Sequence, residues 1–323
     1  MSTDVSTFGR IGVLMGGYSS ERGISLKSGN AVVEALKEEG CNVVALDIQE
    51  RDEQRISSQI SAADLDMAFI ALHGQLGEDG RIQSILEPLD IPYTGSGPAA
   101  SRLALNKAST QRLLRENQIR VAPFLAVSRS DNVSAVDIKQ ELKNPPWMVK
   151  PVGEGSSIGI SMVEDPNSLG QALDLAWQYG EEALVEKFIK GRELTVGILD
   201  QTPLPVIEIR PGGKIFDFTS KYQAGQSEYI VPAPLSETQA ARCQQQALKA
   251  YQLVGCRHLA RIDMILDPSG VPFILEINTI PGFTATSLLP KAAKEIGYSF
   301  NQLCLALVEM AYGKKKEANR SVQ

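Results

Sequence analysis

The chain has 323 residues, 43% apolar and 22% charged, and 32 basic against 38 acidic side chains leave a formal net charge of −6. That acidic balance, without any basic block, argues against nucleic acid as the main partner, and no apolar run approaches the ~20 residues of a membrane span. Four cysteines without CxxC or Cys/His spacing, and only two histidines, disfavour a disulfide framework or a zinc site. No basic n-region or cleavage site is visible near the N-terminus, so a cytosolic protein without a secretory signal is expected.

In chain order, Arg10–Met15 reads as a strand, and Gly16-Gly17-Tyr18-Ser19-Ser20 turns it into a helix with Ile24, Ala31, Ala35 and Leu36 on one face. Asn42–Asp47 and Met67–Leu72 are two further strands, the second nearly continuous in apolar residues, as a strand covered on both faces would be. Helices between such strands imply a parallel sheet. The turn formers of Pro92–Pro98 mark a first boundary. Beyond it come a helix containing Lys107, a strand at Val121–Val127, and strands at Trp147–Lys150 and Ile158–Val163 flanking a glycine-rich turn, Gly153–Ser157. Asn167–Tyr179 is helical and Ala183–Phe188 is a strand, so this stretch is α+β. From Lys190 onward, strands at Glu193–Leu199, Val206–Arg210 and Lys214–Phe218 precede a polar loop, Gln223–Val231. A helix at Ser236–Leu253 and strands at Leu259–Leu266 and Phe273–Asn278 follow. The polar tail from Gly313 to Gln323 is expected to fray.

The strongest chemical signal lies in the last two strands. Arg261 and Asp263 sit at i and i+2, as do Glu276 and Asn278, so each pair points to one face of its strand. Adjacent strands would gather Asp263, Glu276 and Asn278 beside Arg261, a hard-oxygen set suited to Mg²⁺ with phosphate; an ordinary ion-pair cluster on a solvated face is the alternative. Gly153–Ser157 offers backbone N–H groups to phosphate or is simply a hairpin turn, and Lys107 and Lys150 raise the phosphate reading. Neither a Walker A loop nor GxGxxG is present, which removes the fingerprint a nicotinamide-dependent oxidoreductase would need. Glu21 either complements a helix dipole or anchors a substrate ammonium. His73, after a buried strand, either caps its loop or faces a ligand at the strand's C-terminal end.

Four segments in chain order, Gly16-Gly17-x-Ser19-x-Glu21, His73-Gly-x-x-Gly-Glu-Asp-Gly80, Lys221-Tyr222, and Arg261-x-Asp263 leading to Glu276-x-Asn278-Thr279-x-Pro281-Gly282, resemble the D-alanine–D-alanine ligases of the ATP-grasp superfamily. The resemblance spans about Arg10 to Tyr312. It implies an α/β ATP-grasp fold: an N-terminal parallel α/β domain (1–95) and two α+β domains (96–189 and 190–323) sandwiching ATP. It further implies two Mg²⁺ ions, or Mn²⁺, on Asp263, Glu276 and Asn278. ATP would be held by Lys107, Lys150, Glu186, Lys187, Ile189 and Glu193. Glu21, Ser156 and Tyr222 would close over the first D-alanine, with His73 nearby. Lys221 would reach the transferred phosphate, Ser287 and Leu288 the second D-alanine, and Arg261 with the Gly282 N–H the oxyanion. A homodimer, with no nucleic-acid or membrane partner, is expected. Relatives that use a hydroxy acid as second substrate replace the Lys-Tyr pair, and a silent ATP-binding module would have lost some of Arg261, Asp263, Glu276 or Asn278. Relative to that family, Arg51–Asp66 reads as extra residues lengthening a surface segment.

Overall fold

The computed structural model describes residues 4–131, 133–211 and 227–320. Lys221 and Tyr222, the strand expected at Lys214–Phe218 and the loop residues Gln223–Gln226 lie outside the described residues.

Three parallel strands open the chain, β1 (Arg10–Gly16), β2 (Asn42–Ile48) and β3 (Met67–Ile70), in the order β2-β1-β3. Two helices make the crossovers, α1 (Arg22–Glu38) and α2 (Glu53–Ala62). The second corrects the reading of Arg51–Asp66 as a surface extension. Asp52 caps it, its carboxylate accepting from Arg55 N–H at 2.9 Å, and Ile56 and Ile60 are fully buried against the sheet. In α1 the buried face is Ser25, Ser28, Gly29, Val32, Val33, Ala35 and Leu36. Ile24 is not on it: that side chain is 48% exposed and lines the central cleft.

After α3 (Arg81–Leu86), the expected single helix around Lys107 is two, α4 (Pro98–Leu105) and α5 (Lys107–Glu116). Asn106 breaks them with extended backbone, and its side chain accepts from Ser109 N–H at 2.8 Å, capping α5. Lys107 therefore starts a helix, at the end where its flank faces the cleft. An antiparallel sheet β4-β7-β5-β6 follows, from β4 (Phe124–Ser128), β5 (Trp147–Pro151), β6 (Ser161–Val163) and β7 (Glu182–Lys187). Strand β4 starts three residues later than the pattern suggests because Pro123 precedes it; Val121 makes an isolated bridge to Ile274 instead. Helices α6 (Ala135–Leu142) and α7 (Leu169–Ala176) cover one face around Trp147, which is fully buried.

The third sheet runs β11-β10-β8-β12-β13, with β9 on β8. Its strands are β8 (Arg192–Leu199), β9 (Thr202–Pro203), β10 (Ile207–Pro211), β11 (Ser227–Ile230), β12 (Leu259–Leu266) and β13 (Pro272–Asn278). Strand β11 corrects the polar loop expected through Val231. Helix α8 (Glu237–Val254) closes a second core over this sheet, entered by a capping box between Ser236 and Gln239 and ended at Gly255 in the left-handed region. The last helices are α9 (Leu288–Glu295) and α10 (Phe300–Arg320), so the tail expected to fray is helical through Arg320. Both return to the start of the chain: Leu303, Cys304, Leu307 and Val308 share one core with Phe8, Ile11, Val32 and Leu36. None of the helices among the described residues is long and apolar enough to cross a membrane.

Candidate active site

Faces of the two antiparallel sheets meet the loops of the parallel sheet around a cleft of about 370 Å³, a volume in the range of small-molecule sites. One end is apolar, lined by Met148, Ile160, Phe188, Ile209, Ile265 and Leu275. The other is ionic. An apolar slot leading into a charged chamber suits a ligand with a flat base at one end and phosphates at the other.

Strands β12 and β13 build the ionic end. Their register sets Arg261 opposite Asn278 and Asp263 opposite Glu276, then shifts at Asp263/Met264, leaving Leu275 as an extra residue. This bulge makes consecutive residues Leu275 and Glu276 both face the cleft, where strict alternation would hide one. Arg261 grips Asp263 with two parallel bonds, Nε to Oδ1 at 2.9 Å and Nη2 to Oδ2 at 2.7 Å. Thr195 Oγ1 donates to Asp263 Oδ1 at 2.6 Å, and Asn278 Nδ2 to Oδ2 at 3.1 Å. Lys107 Nζ stands 3.2 Å from Glu276 Oε2 and donates to the Glu154 carbonyl at 2.5 Å. Burial pushes the Glu276 carboxyl up, but the charges of Lys107, Lys150 and Arg261 outweigh it and hold the group below its ordinary range.

Among the described residues no cluster of three His, Cys, Asp or Glu side chains forms a ready metal cage. Asp263, Glu276 and Asn278 supply two carboxylates and one amide on one face. That set fits Mg²⁺, which typically takes one or two carboxylates and fills its shell with water and substrate phosphates.

Lys150 reaches across from β5 to an ion pair with Glu186 of β7, and Gln111 of α5 donates to the same carboxylate. Gln111 also donates to the carbonyl of the bulge residue Leu275 at 3.2 Å. Lys187 donates to the Asn144 carbonyl, and Lys187, Ile189 and Glu193 line the slot.

The opposite wall carries Glu21, whose carboxylate accepts from the Ser156 hydroxyl. Ser156 and Ser157 are consecutive non-glycine residues at positive φ, +51° and +56°, a backbone arrangement held only where the surroundings impose it. Gly74 (φ +68°) lies so close that a Cβ there would stand 2.8 Å from Glu21 Oε2. Ser19 Oγ donates to the His73 carbonyl at 2.9 Å, tying the two loops together. His73 is buried, and its ring contacts the Ile280 carbonyl at 3.0 Å and Ser28 Oγ at 3.1 Å. Gly282 and Leu288 complete the wall. Ser287 Oγ accepts from Thr284 N–H at 3.0 Å at the start of α9.

Glu21 makes no side-chain cap on α1; its carboxylate turns to Ser156 instead. Burial and the neighbouring Glu78 charge raise its pKa, partly offset by Ser156 and His73. A carboxyl raised in the folded state contributes stability below its ordinary value of 4.5, and that contribution is lost as pH climbs through the folded value. Glu21→Gln is therefore expected to raise Tm at pH 8 and leave it unchanged at pH 4, in melts without nucleotide. Equal shifts at both pH values would rule out the buried charge as the cause.

The cysteines take no part. All four are free and buried, and burial pushes the thiols of Cys243 and Cys256 up to about 11 and about 12, so neither is a thiolate at neutral pH.

Most of the expected site residues thus converge on one cleft. Lys107 reaches it through Glu276, and Lys221 and Tyr222 lie outside the described residues. Three contributors carry no signal in the sequence. Gln111 and Thr195 hold Glu186 and Asp263 through hydrogen bonds across 75 and 68 residues, and Leu275 enters the cleft only because of the bulge.

Comparison with known proteins adds independent findings. The family model described as "D-ala D-ala ligase C-terminus" matches residues 113–309, and "D-ala D-ala ligase N-terminus" matches residues 49–96. A D-alanine–D-alanine ligase of Syntrophotalea carbinolica is 44% identical over 294 residues, 91% of this chain and 93% of the relative. That of Pelotomaculum thermopropionicum is 44% identical over 311 residues, 94% and 96% of the two chains. The crystal structure of the Bacillus anthracis enzyme complexed with ATP superposes with a TM-score of 0.84 at 31% identity, covering 96% of this chain and 99% of that one.

Proposed function

The chain belongs to the D-alanine–D-alanine ligase family and is a ligase of that activity with an ATP-grasp fold, and from that premise we propose that it activates one D-alanine as an acyl phosphate and couples it to a second, supplying the dipeptide for peptidoglycan precursors. The observation that carries the reading is the pairing of Asp263 with Glu276 and of Arg261 with Asn278 across β12 and β13, with Lys107 on Glu276.

A carboxylate is a poor electrophile, so the first D-alanine needs activation before an amine can attack it. Glu21, half-buried and bonded to Ser156, binds the ammonium of that first residue, and the new positive charge relieves the cost of the desolvated carboxylate. The apolar slot takes adenine, with Glu186, Lys187 and Ile189 along its edge and Glu193 on the ribose. Lys107 and Lys150 turn from Glu276 and Glu186 toward the phosphates, offsetting their charge. Asp263, Glu276 and Asn278 would hold Mg²⁺, which when bound would supply further charge neutralisation for the transferring phosphoryl group.

The D-alanine carboxylate oxygen attacks the γ-phosphorus, ADP leaves, and an acyl phosphate forms. The deprotonated amine of the second D-alanine, held by its carboxylate at Ser287 and Leu288, then adds to the acyl carbon. Arg261 and the Gly282 N–H take the negative charge of the tetrahedral intermediate, a role worth ~3–4 kcal/mol per donor. Inorganic phosphate leaves and the peptide bond remains. Lys221 and Tyr222 are assigned to the transferred phosphate and to the Ser156–Glu21 pair.

The test is ADP release from MgATP that depends on D-alanine, with D-alanyl-D-alanine detected as product. Chelation with EDTA is expected to stop release, and Mg²⁺ or Mn²⁺ to restore it. No ADP release with any D-amino acid would overturn the reading, and full release in EDTA would remove the metal from it.

A further inference from the structure

Ser28 has no place in the chemistry above, yet it is a 1%-exposed hydroxyl at the centre of a closed hydrogen-bond circuit. Its Oγ accepts from the Phe283 N–H at 3.2 Å and meets His73 Nε2 at 3.1 Å, while His73 Nδ1 meets the Ile280 carbonyl at 3.0 Å. A carbonyl oxygen only accepts, so Nδ1 carries the ring proton. In the neutral ring Nε2 then accepts, and Ser28 must donate its hydroxyl hydrogen there. Every group has its partner: Phe283 N–H to Ser28, Ser28 O–H to His73, His73 Nδ1–H to Ile280. Glu78 Oε1 also approaches Nδ1, at the longer distance of 3.5 Å.

The two ends of this circuit, residues 280 and 283, bracket Pro281 and Gly282. We propose that Ser28 is a positioning residue for the ligation step, fixing the main chain on both sides of Gly282 so that the Gly282 N–H points at the developing oxyanion. The inference rests on the ligase reading and on the oxyanion role of Gly282 in it. Losing the hydroxyl should not release the segment altogether, because the Phe283 ring packs independently against Phe69 and Phe300, with centroids 5.8 and 5.5 Å away. It removes the fine setting of a donor, to which an oxyanion is sensitive at the ångström scale.

Ser25 provides a matched control one turn earlier on α1. It is equally buried, with Oγ donating to the Ala71 carbonyl at 2.7 Å and accepting from Gly16 N–H at 2.9 Å, so its hydrogen bonds go to β1 and the end of β3 rather than to 280–283.

The experiment measures dipeptide and phosphate together in steady state, with binding of a phosphinate dipeptide isostere whose tetrahedral phosphorus copies the intermediate. Ser28→Ala is expected to lower kcat for dipeptide by about 10-fold or more, with KM for ATP and the first D-alanine changed less than about two-fold, the split that separates transition-state from ground-state interactions. Phosphate released per dipeptide rises above one, as water intercepts the acyl phosphate. Affinity for the isostere falls in step with kcat, as transition-state complementarity requires. Ser25→Ala is expected to lose comparable thermal stability with its phosphate-to-dipeptide ratio unchanged. Where Ser28→Ala does not fold, Ser28→Cys, with a weaker donor in a similar volume, decides by the same readouts. Unchanged kcat, ratio and isostere affinity would overturn the proposal, as would parallel losses of kcat and ATP affinity. A wild-type protein that makes no dipeptide at all would instead fail the ligase reading, and Ser28 with it.

Discussion

Glu276→Ala is expected to leave a folded protein that turns over at least about 10³-fold more slowly, since it removes both the carboxylate proposed to hold the metal and the charge balance of the site. Three cations surround that carboxylate, and they hold its pKa below the ordinary range despite burial. With it gone, Lys107 keeps the Glu154 carbonyl as a partner, so the loss falls on catalysis more than on the fold. ATP affinity should fall less than turnover, because the lysines still meet the phosphates. Glu276→Gln, with the same volume and no charge, should match the alanine variant. Single-turnover and steady-state ADP release check both; near-normal turnover in either would remove Glu276 from the metal assignment.

Lys150→Met is expected to strike stability as hard as function. Lys150 and Glu186 are both buried, and Glu186 is only 2% exposed. Breaking such a pair from one side typically costs ~3–5 kcal/mol, because the remaining charge stays buried without its counter-ion. With the whole chain as the cooperative unit, that loss lowers Tm by roughly 4–7 °C. Gln111 still donates to the stranded carboxylate, but a neutral amide does not balance its charge. Removing both charges in Lys150→Met/Glu186→Met should regain most of the loss, since two apolar groups leave nothing unpaired. In wild type, MgATP should raise Tm by ligand linkage; in both variants that rise should vanish. Melts with and without MgATP read the two effects separately, and a single variant as stable as wild type would show that the pair is solvated in solution.

The reach of the sequence is clear from these same residues. Strand alternation places Arg261 with Asp263 and Glu276 with Asn278 on one face each, because period-2 geometry is local; the cross-strand register, Arg261 opposite Asn278 and Asp263 opposite Glu276, comes from the structure. The bulge at Leu275 is invisible to that logic, since it depends on how β13 bends against β12 and on Gln111 arriving from α5 to bond the displaced carbonyl. Ile24 shows the opposite error. Its spacing matches a buried helical stripe, but the tertiary contact on that side is a cleft rather than a core. The motif at His73–Gly80 signals a ligand loop, while the bond from His73 to Ser28 joins residues 45 apart and no local pattern contains it. The reading of Arg51–Asp66 as an insertion failed because Ile56 and Ile60 fill the space beside β3, which only the crossover geometry reveals.

The return of α10 to the N-terminal sheet has a consequence for synthesis. The face of α1 that holds Val32 and Leu36 is completed by Leu303, Leu307 and Val308, residues translated long after it. At ~5–20 residues per second, the sheet formed by the first strands waits roughly 10–40 s on the ribosome before its covering helix emerges. Through that interval a large apolar surface has no native partner, and a fragment ending near residue 95 would keep it exposed permanently. Such a fragment should aggregate, and co-expression of the remaining chain in trans should rescue it through α10. A helix distant in sequence thus sets when this sheet can finish folding.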